Sequence, residues 1–337
     1  MTFPPQLDFW HPVALSRQLR RRPLSVRLLD TPLVVFRTSR GVGALHDVCP
    51  HRGMRLSAGK VTGGRLQCPY HGYTFDGQGC GRSPATPRRS IQAPALDALE
   101  RCGAIWVKRR DSHATMPQWT RRLDIDITLS ATVGAPLELV MDNFSEVEHT
   151  PTTHAFLGYR QQDMPHVTTE LKLTEDTVRV VNIGPQKPMP AIVRRLIGFS
   201  PGDPFVDDWT TWFEPPHAVY DHYWLNPGTG EPRADRLITA VHFNPVDART
   251  TQVMSFTTAH GPRSANVFWR LALRPAMRAI VGLEVARDQA MLERLADHGT
   301  ELKGRKLSRF DKPLAENRKR LNAKYFRVAS EDASRNS

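Results

Sequence analysis

The sequence predicts an α+β fold: a small antiparallel β domain over residues 1–115, then a larger domain over 116–337 that joins sheet and helices. Three observations carry this expectation. In the first third, short strand-like runs at 32–36 and 43–48 are punctuated by turn residues at 39–41 and 76–77. Residues 134–149 and 275–298 have helical patterns, the second with Met277, Val281, Val285, Leu292 and Leu295 on one apolar stripe. Between these, residues 236–244 and 251–260 alternate apolar and polar positions as strands do, while 317–325 reads as a polar terminal helix.

A chain of 337 residues can bury one large or two medium cores. Its apolar fraction of 40% and charged fraction of 24% are those of an ordinary globular protein. No apolar run approaches the roughly 18 residues of a membrane span. The start has neither a basic nor an apolar leader segment, so a cytoplasmic protein is expected. The net charge of +12 raises the question of nucleic acid. However, the basic residues fall in short clusters at 20–22, 108–110, 194–195 and 318–320, without interleaved aromatic platforms or a helix-turn-helix or finger spacing. They read as solvated faces first, and next as a docking patch for an acidic redox partner. No nucleic-acid partner is expected.

The four cysteines are Cys49, Cys68, Cys80 and Cys102. In a reducing compartment, few cysteines at meaningful spacing read as metal ligands rather than disulfides. Residues 49–53 are Cys-Pro-His-Arg-Gly and residues 68–72 are Cys-Pro-Tyr-His-Gly. Cys49 and His51 share one loop; Cys68 and His71 share another. Two Cys and two His suit zinc, or a [2Fe–2S] centre in which thiolates hold one iron and imidazoles the other. Finger-type zinc sites take the order Cys, Cys, His, His, with the last two on a helix, whereas here the order alternates and both pairs lie between strands. Cys80 and Cys102 read as small buried hydrophobes.

Residues 141–154 carry a second group, with Asn143, Glu146 and His149 three residues apart on one helix side and His154 five residues on. Pro151 disfavours helix at Thr150, so the chain can turn there and bring His154 back toward His149. A carboxylate would complete the two-histidine facial triad of non-haem iron enzymes. Asp288 is the candidate, because it interrupts the apolar stripe of 275–298 where an unpaired carboxylate would be costly. Glu284 and Glu293 lie nearby as alternatives, and an ion pair of Asp288 with Arg270 or Arg278 is the structural explanation to beat.

Both motifs resemble those of the Rieske non-haem iron oxygenases, whose iron motif is Asn-x-x-Asp-x-x-His-x4-His with a later aspartate. The resemblance covers nearly the whole chain, from the N-terminal strand at 9–15 onward. It implies a Rieske [2Fe–2S] domain with Cys49, His51, Cys68 and His71 as cluster ligands. It also implies a helix-grip catalytic domain with a mononuclear iron on His149, His154 and Asp288 and with Asn143 close behind. Glu146 stands where the family has the aspartate that bridges the cluster of one subunit to the iron of the next; Glu148 is the runner-up for that role. The family uses O2 as co-substrate, takes NAD(P)H electrons through a separate reductase (flavin, with or without a ferredoxin-type domain), and assembles as homotrimers. Length and terminal sequence resemble the demethylase and monooxygenase branch, so hydroxylation or oxidative demethylation of a small aromatic or heterocyclic compound is expected. The alternative is a Rieske-type electron carrier in which His149 and His154 are structural.

Overall fold

The computed structural model describes residues 3–122, 125–262 and 266–327. It divides into two compact units, Met1–Leu123 with Asn244–Ala248, and Asp124–Phe243 with Arg249–Ser337. The fold is the expected α+β mixture of antiparallel sheets with a few helices. No helix among the described residues is long and apolar enough to cross a membrane.

The first unit holds a six-stranded sheet in the order His11–Leu15, Ala104–Arg109, Ala95–Arg101, Gly41–His46, Thr31–Thr38, Leu24–Leu28. A five-stranded sheet of two- and three-residue strands runs from Lys60–Thr62 to Ser90–Gln92. The run Leu33 to Phe36 explains how the two are joined, since all four side chains are fully buried. Leu33 and Val35 enter one core with Leu28, Ala44 and Ile105. Val34 and Phe36 enter a second with Leu45, Leu66, Phe75, Cys49 and Cys68. A strand covered on both faces reads as a continuous apolar run rather than an alternation.

Leu29 and Asp30 turn the hairpin that leads into Thr31–Thr38, with φ of 53° and 57°. Their N–H groups donate to the carbonyls of Pro245 and Val246 at 2.8 and 2.9 Å. Asn244 donates through Nδ2 to the carbonyl of Pro12 at 2.7 Å. Residues 244–248 thus belong to the first unit through hydrogen bonds.

Cys80 departs from expectation, because it is exposed. On the strand Cys80–Arg82 it is Gly81 that points inward, where an added Cβ would lie 2.6 Å from Phe75 and 2.5 Å from Ile91. The neighbouring position must therefore face out. Cys102 is half-buried, in the turn between two strands.

The second unit is built on a seven-stranded sheet in the order Ile127–Val133, Thr250–His260, Arg236–Asp247, Pro216–Trp224, Pro204–Phe213, Thr177–Pro185, Thr168–Leu173. Against it lies the helix Val267–Leu292, whose Leu273, Met277 and Val281 pack on Ile127, Leu237 and Ala259. This helix starts earlier than the pattern suggested and runs through Pro275. Asn266 caps it, accepting from the N–H groups of Phe268 and Trp269 at 3.0 and 3.2 Å. It ends at Leu292, so Leu295 lies beyond the stripe and is exposed. The expected terminal helix begins earlier as well, at Lys312–Arg320, and continues as a wider turn at Leu321–Phe326.

The expected single helix through His149 is not formed. Helix Leu137–Asn143 stops at Asn143, and a separate short helix, Thr150–Thr153, begins after His149. Pro151 sits in its first turn, where the missing N–H would have no helical partner in any case, so it starts a helix rather than breaking one.

Across three strands of this sheet, Trp212, His217 and His242 stack as register partners, with ring centroids 5.1 and 4.7 Å apart. Burial lowers His217 from 6.5 to about 4, although its Nδ1–H donates to the carbonyl of Pro215 at 2.7 Å. The unfolded chain therefore takes up this proton first. His217 contributes stability that is complete above pH 6.5 and lost as pH falls toward about 4. Urea titrations over that window should show a decline steepened by His217 by about 1.4 kcal/mol per pH unit, and His217→Phe should remove that share of the slope.

Candidate metal centres

In the first unit, two turns face one another with the same internal hydrogen bonds. The N–H of Cys49 donates to the carbonyl of Met54 at 2.7 Å, and that of Gly53 to the carbonyl of Cys49 at 2.9 Å. The N–H of Cys68 donates to Tyr73 at 2.8 Å, and that of Gly72 to Cys68 at 3.2 Å. Gly53 and Gly72 close the turns at φ of 74° and 72°, where a side chain would be strained. Cys49 and Cys68 are buried, while His51 is exposed and His71 half-buried. The two imidazoles lie 4.7 Å apart between centroids, and His51 stacks on Tyr73 at 4.6 Å. Burial pushes the Cys49 thiol up, and the Cys68 sulfur beside it adds to the rise. Buried thiols and outer imidazoles thus converge from two rigid turns.

In the second unit, His149, His154 and Asp288 converge, with ligand atoms within 4.8 Å of one another. His154 Nε2 lies 3.0 Å from Asp288 Oδ1 and 3.3 Å from His149 Nε2, and His149 Nε2 is 3.4 Å from the same carboxylate oxygen. Burial would lower the His149 imidazole, but Asp288 and Glu146 together raise it to about 10. Burial would likewise raise Asp288, yet the two histidines hold it well below the usual carboxylate range. The ion-pair explanation for Asp288 fails, because Arg270 pairs with Asp126 at 2.8 Å and Arg278 is exposed.

Glu146 Oε1 accepts from His149 Nδ1, and its Oε2 accepts from the backbone N–H groups of Glu148 and His149. Glu148 itself is exposed. Asn143 closes the preceding helix with Nδ2 buried and without a partner. The turn carrying His154 is held from both sides. Glu284, buried one helical turn before Asp288, accepts from the N–H groups of Ala155, Phe156 and Leu157 at 2.8–3.4 Å. Lys187 Nζ donates to the carbonyls of Thr150 and His154 at 2.6 and 2.8 Å, and Arg287 donates to that of Thr153 at 3.1 Å. Glu284 is therefore a backbone anchor rather than a member of the triad. Glu293 is exposed and accepts from the N–H of Gly134 at 3.3 Å.

The triad lines a pocket of about 740 Å³, space open to solvent included. Its sheet wall is made by alternate residues of neighbouring strands, among them Asp207, Trp209, Tyr220, His222 and Thr239. Trp209 is buried and also reaches this wall. Of the strand residues His222, His242, Asn244 and His260, His222 alone lines the cavity. His260 lines a neighbouring one, His242 is in the stacked column, and Asn244 lies in the first unit.

Residues 9–97 match the Rieske [2Fe-2S] domain family. Residues 133–325, more than half of the chain, match the vanillate O-demethylase oxygenase C-terminal domain family. The chain belongs to the Rieske oxygenases. Methylxanthine N1-demethylase NdmA of Pseudomonas putida is 36% identical over 163 residues, 43% of this chain and 46% of that protein. The dicamba O-demethylase oxygenase component of Stenotrophomonas maltophilia is 35% identical over 161 residues, again 43% and 46%. Chloroplastic chlorophyllide a oxygenase of Chlamydomonas reinhardtii is 36% identical over 167 residues, 47% of this chain and 26% of that protein. The matched stretches span less than half the length of each relative. Dicamba monooxygenase bound to dicamba has the same fold, with a TM-score of 0.74 at 21% identity over 96% of this chain and 97% of that one.

Rieske oxygenases use a [2Fe–2S] cluster and a mononuclear iron, and the donor sets here fit both. Paired buried sulfurs beside paired imidazoles match a cluster with one thiolate-held and one imidazole-held iron. The His149, His154 and Asp288 group matches the donor set of a facial triad.

Glu284 supplies the acceptor for several buried N–H groups at once. Glu284→Ala should destabilise the protein by about 2–4 kcal/mol, and Glu284→Gln, which keeps one acceptor oxygen, by less; thermal unfolding of the two variants checks this order.

Proposed function

We propose that this chain is the terminal oxygenase of an electron-transfer system that hydroxylates or oxidatively demethylates a small organic substrate, aromatic or heterocyclic. NAD(P)H electrons would arrive from a separate reductase, and the relatives described as oxygenase components or subunits support such a division of labour. The observation that carries the reading is the convergence of His149, His154 and Asp288 on the wall of a cavity. A pure electron carrier has no use for that cavity.

In this reading residues 1–115 form the cluster domain and 116–337 the catalytic domain. Cys49, His51, Cys68 and His71 hold the cluster; His149, His154 and Asp288 hold the single iron. When bound, the cluster supplies single electrons and the iron binds and activates O2. Glu146 keeps the proton on Nδ1 of His149 and so leaves Nε2 free to act as a ligand. Asn143, with its unpartnered amide, stands beside that group as a donor. Glu284 and Lys187 fix the turn on which His154 sits, which keeps the imidazole aimed without a continuous helix. For a methyl ether or N-methyl substrate, hydroxylation of the methyl group is followed by loss of formaldehyde.

Glu146 also takes the bridging role toward a neighbouring subunit in a homotrimer, in which head-to-tail packing would bring unlike centres together. Four cysteines with no disulfide among the described residues suit a reducing, cytoplasmic setting.

His154→Ala should keep the cluster absorption, lose one iron per chain and abolish O2-dependent turnover, whereas Cys49→Ser should lose the cluster absorption itself. Undiminished substrate oxidation by His154→Ala, measured with reductase and NADH, would leave the electron-carrier reading standing.

A further inference from the structure

The cavity beside the triad has an unusual charge balance. Four of its lining residues are acidic (Glu146, Asp207, Glu284 and Asp288), and none of the lining residues is Lys or Arg. Glu146 and Asp288 serve the triad and Glu284 the turn, so Asp207 is the one acid on this wall with no role at either.

Asp207 and His222 are register partners on adjacent strands, both buried. His222 Nε2 donates to Asp207 Oδ1 at 3.0 Å. Among the described residues no other hydrogen bond to the Asp207 carboxylate is found, so Oδ2 retains its acceptor capacity. A buried Asp–His pair is seldom the most stable choice for a sheet face, since apolar residues of similar volume serve stability equally well or better. Its position on the cavity wall gives it another use. Trp209 and Tyr220, with ring centroids 5.7 Å apart, flank the pair on the same wall, and aromatic faces beside a carboxylate attract cationic nitrogen.

We propose that Asp207, positioned by His222, selects the substrate: a neutral or cationic nitrogen compound that donates a hydrogen bond to the carboxylate, and not a carboxylic acid. This rests on the reading of the cavity as the substrate chamber. An anionic substrate would meet the Asp207 carboxylate on a wall that presents no lysine or arginine.

The test is calorimetric binding to the anaerobic, iron-loaded holoprotein of three probes that share a ring: 4-methoxybenzylamine, 4-methoxybenzamide and 4-methoxybenzoate. The amine and the amide should bind at least about ten-fold more tightly than the benzoate. Asp207→Asn should weaken the amine by about ten-fold while narrowing its advantage over the benzoate, with cluster absorption retained as the check on folding. His222→Asn, which keeps the carboxylate, should preserve the preference for the amine. Benzoate binding equal to or tighter than the amine, no binding of any probe, or an unchanged ratio in Asp207→Asn overturns the proposal. Formaldehyde release with reductase and NADH separates the two readings. Turnover without the charge preference overturns the selectivity alone. The charge preference without turnover in iron-loaded protein upholds the site and counts against the oxygenase reading.

Discussion

The second unit is organised by the need to compensate one buried carboxylate. Asp288 lies on the helical stripe that otherwise carries Leu273, Met277 and Val281 into the core. Left alone, a carboxylate there would be protonated or would destabilise the helix–sheet packing. The imidazoles of His149 and His154 are its partners, and to reach it the chain between the two short helices must come back onto the long one. Glu284, four residues earlier on the same helix, then holds that returning backbone by its N–H groups. One helix face therefore packs the sheet, anchors the loop and presents the acid of the triad.

The first unit meets a related demand by other means. Its ligands come from two short turns with no long helix to brace them, and rigidity is local: matching backbone hydrogen bonds, left-handed glycines and a shared apolar floor of Val34, Phe36, Leu66 and Phe75. Ligand geometry there depends on a few residues on either side of each Cys. In the second unit it depends on partners 129 to 134 residues away in the chain.

This difference governs what the sequence disclosed. The Cys-x-His and Cys-x-x-His pairs were legible because turn chemistry is local, and the strands were legible because alternation is local as well. Asp288 was legible as a polar residue out of place on an apolar stripe. The break between Asn143 and His149 was not, because three-residue spacing looks the same in a helix and in a chain that leaves one. Pro151 was read as a terminator when it stands in a first turn, where proline is at home. Lys187, Asp207 and the anchoring role of Glu284 gave no local signal at all, since each depends on a strand register or loop path that only the folded chain defines.

The short stretch at 244–248 has a consequence for how modular the chain is. Leu29 and Asp30 hold left-handed backbone conformations that ordinary side chains avoid, and their N–H groups donate to Pro245 and Val246. A recombinant fragment truncated after the last strand of the six-stranded sheet would lack those carbonyls and the Asn244 amide. The electron-carrying portion is accordingly not a cassette that can be excised or transplanted by one cut, and a grafted version would have to bring a substitute for this distant peptide.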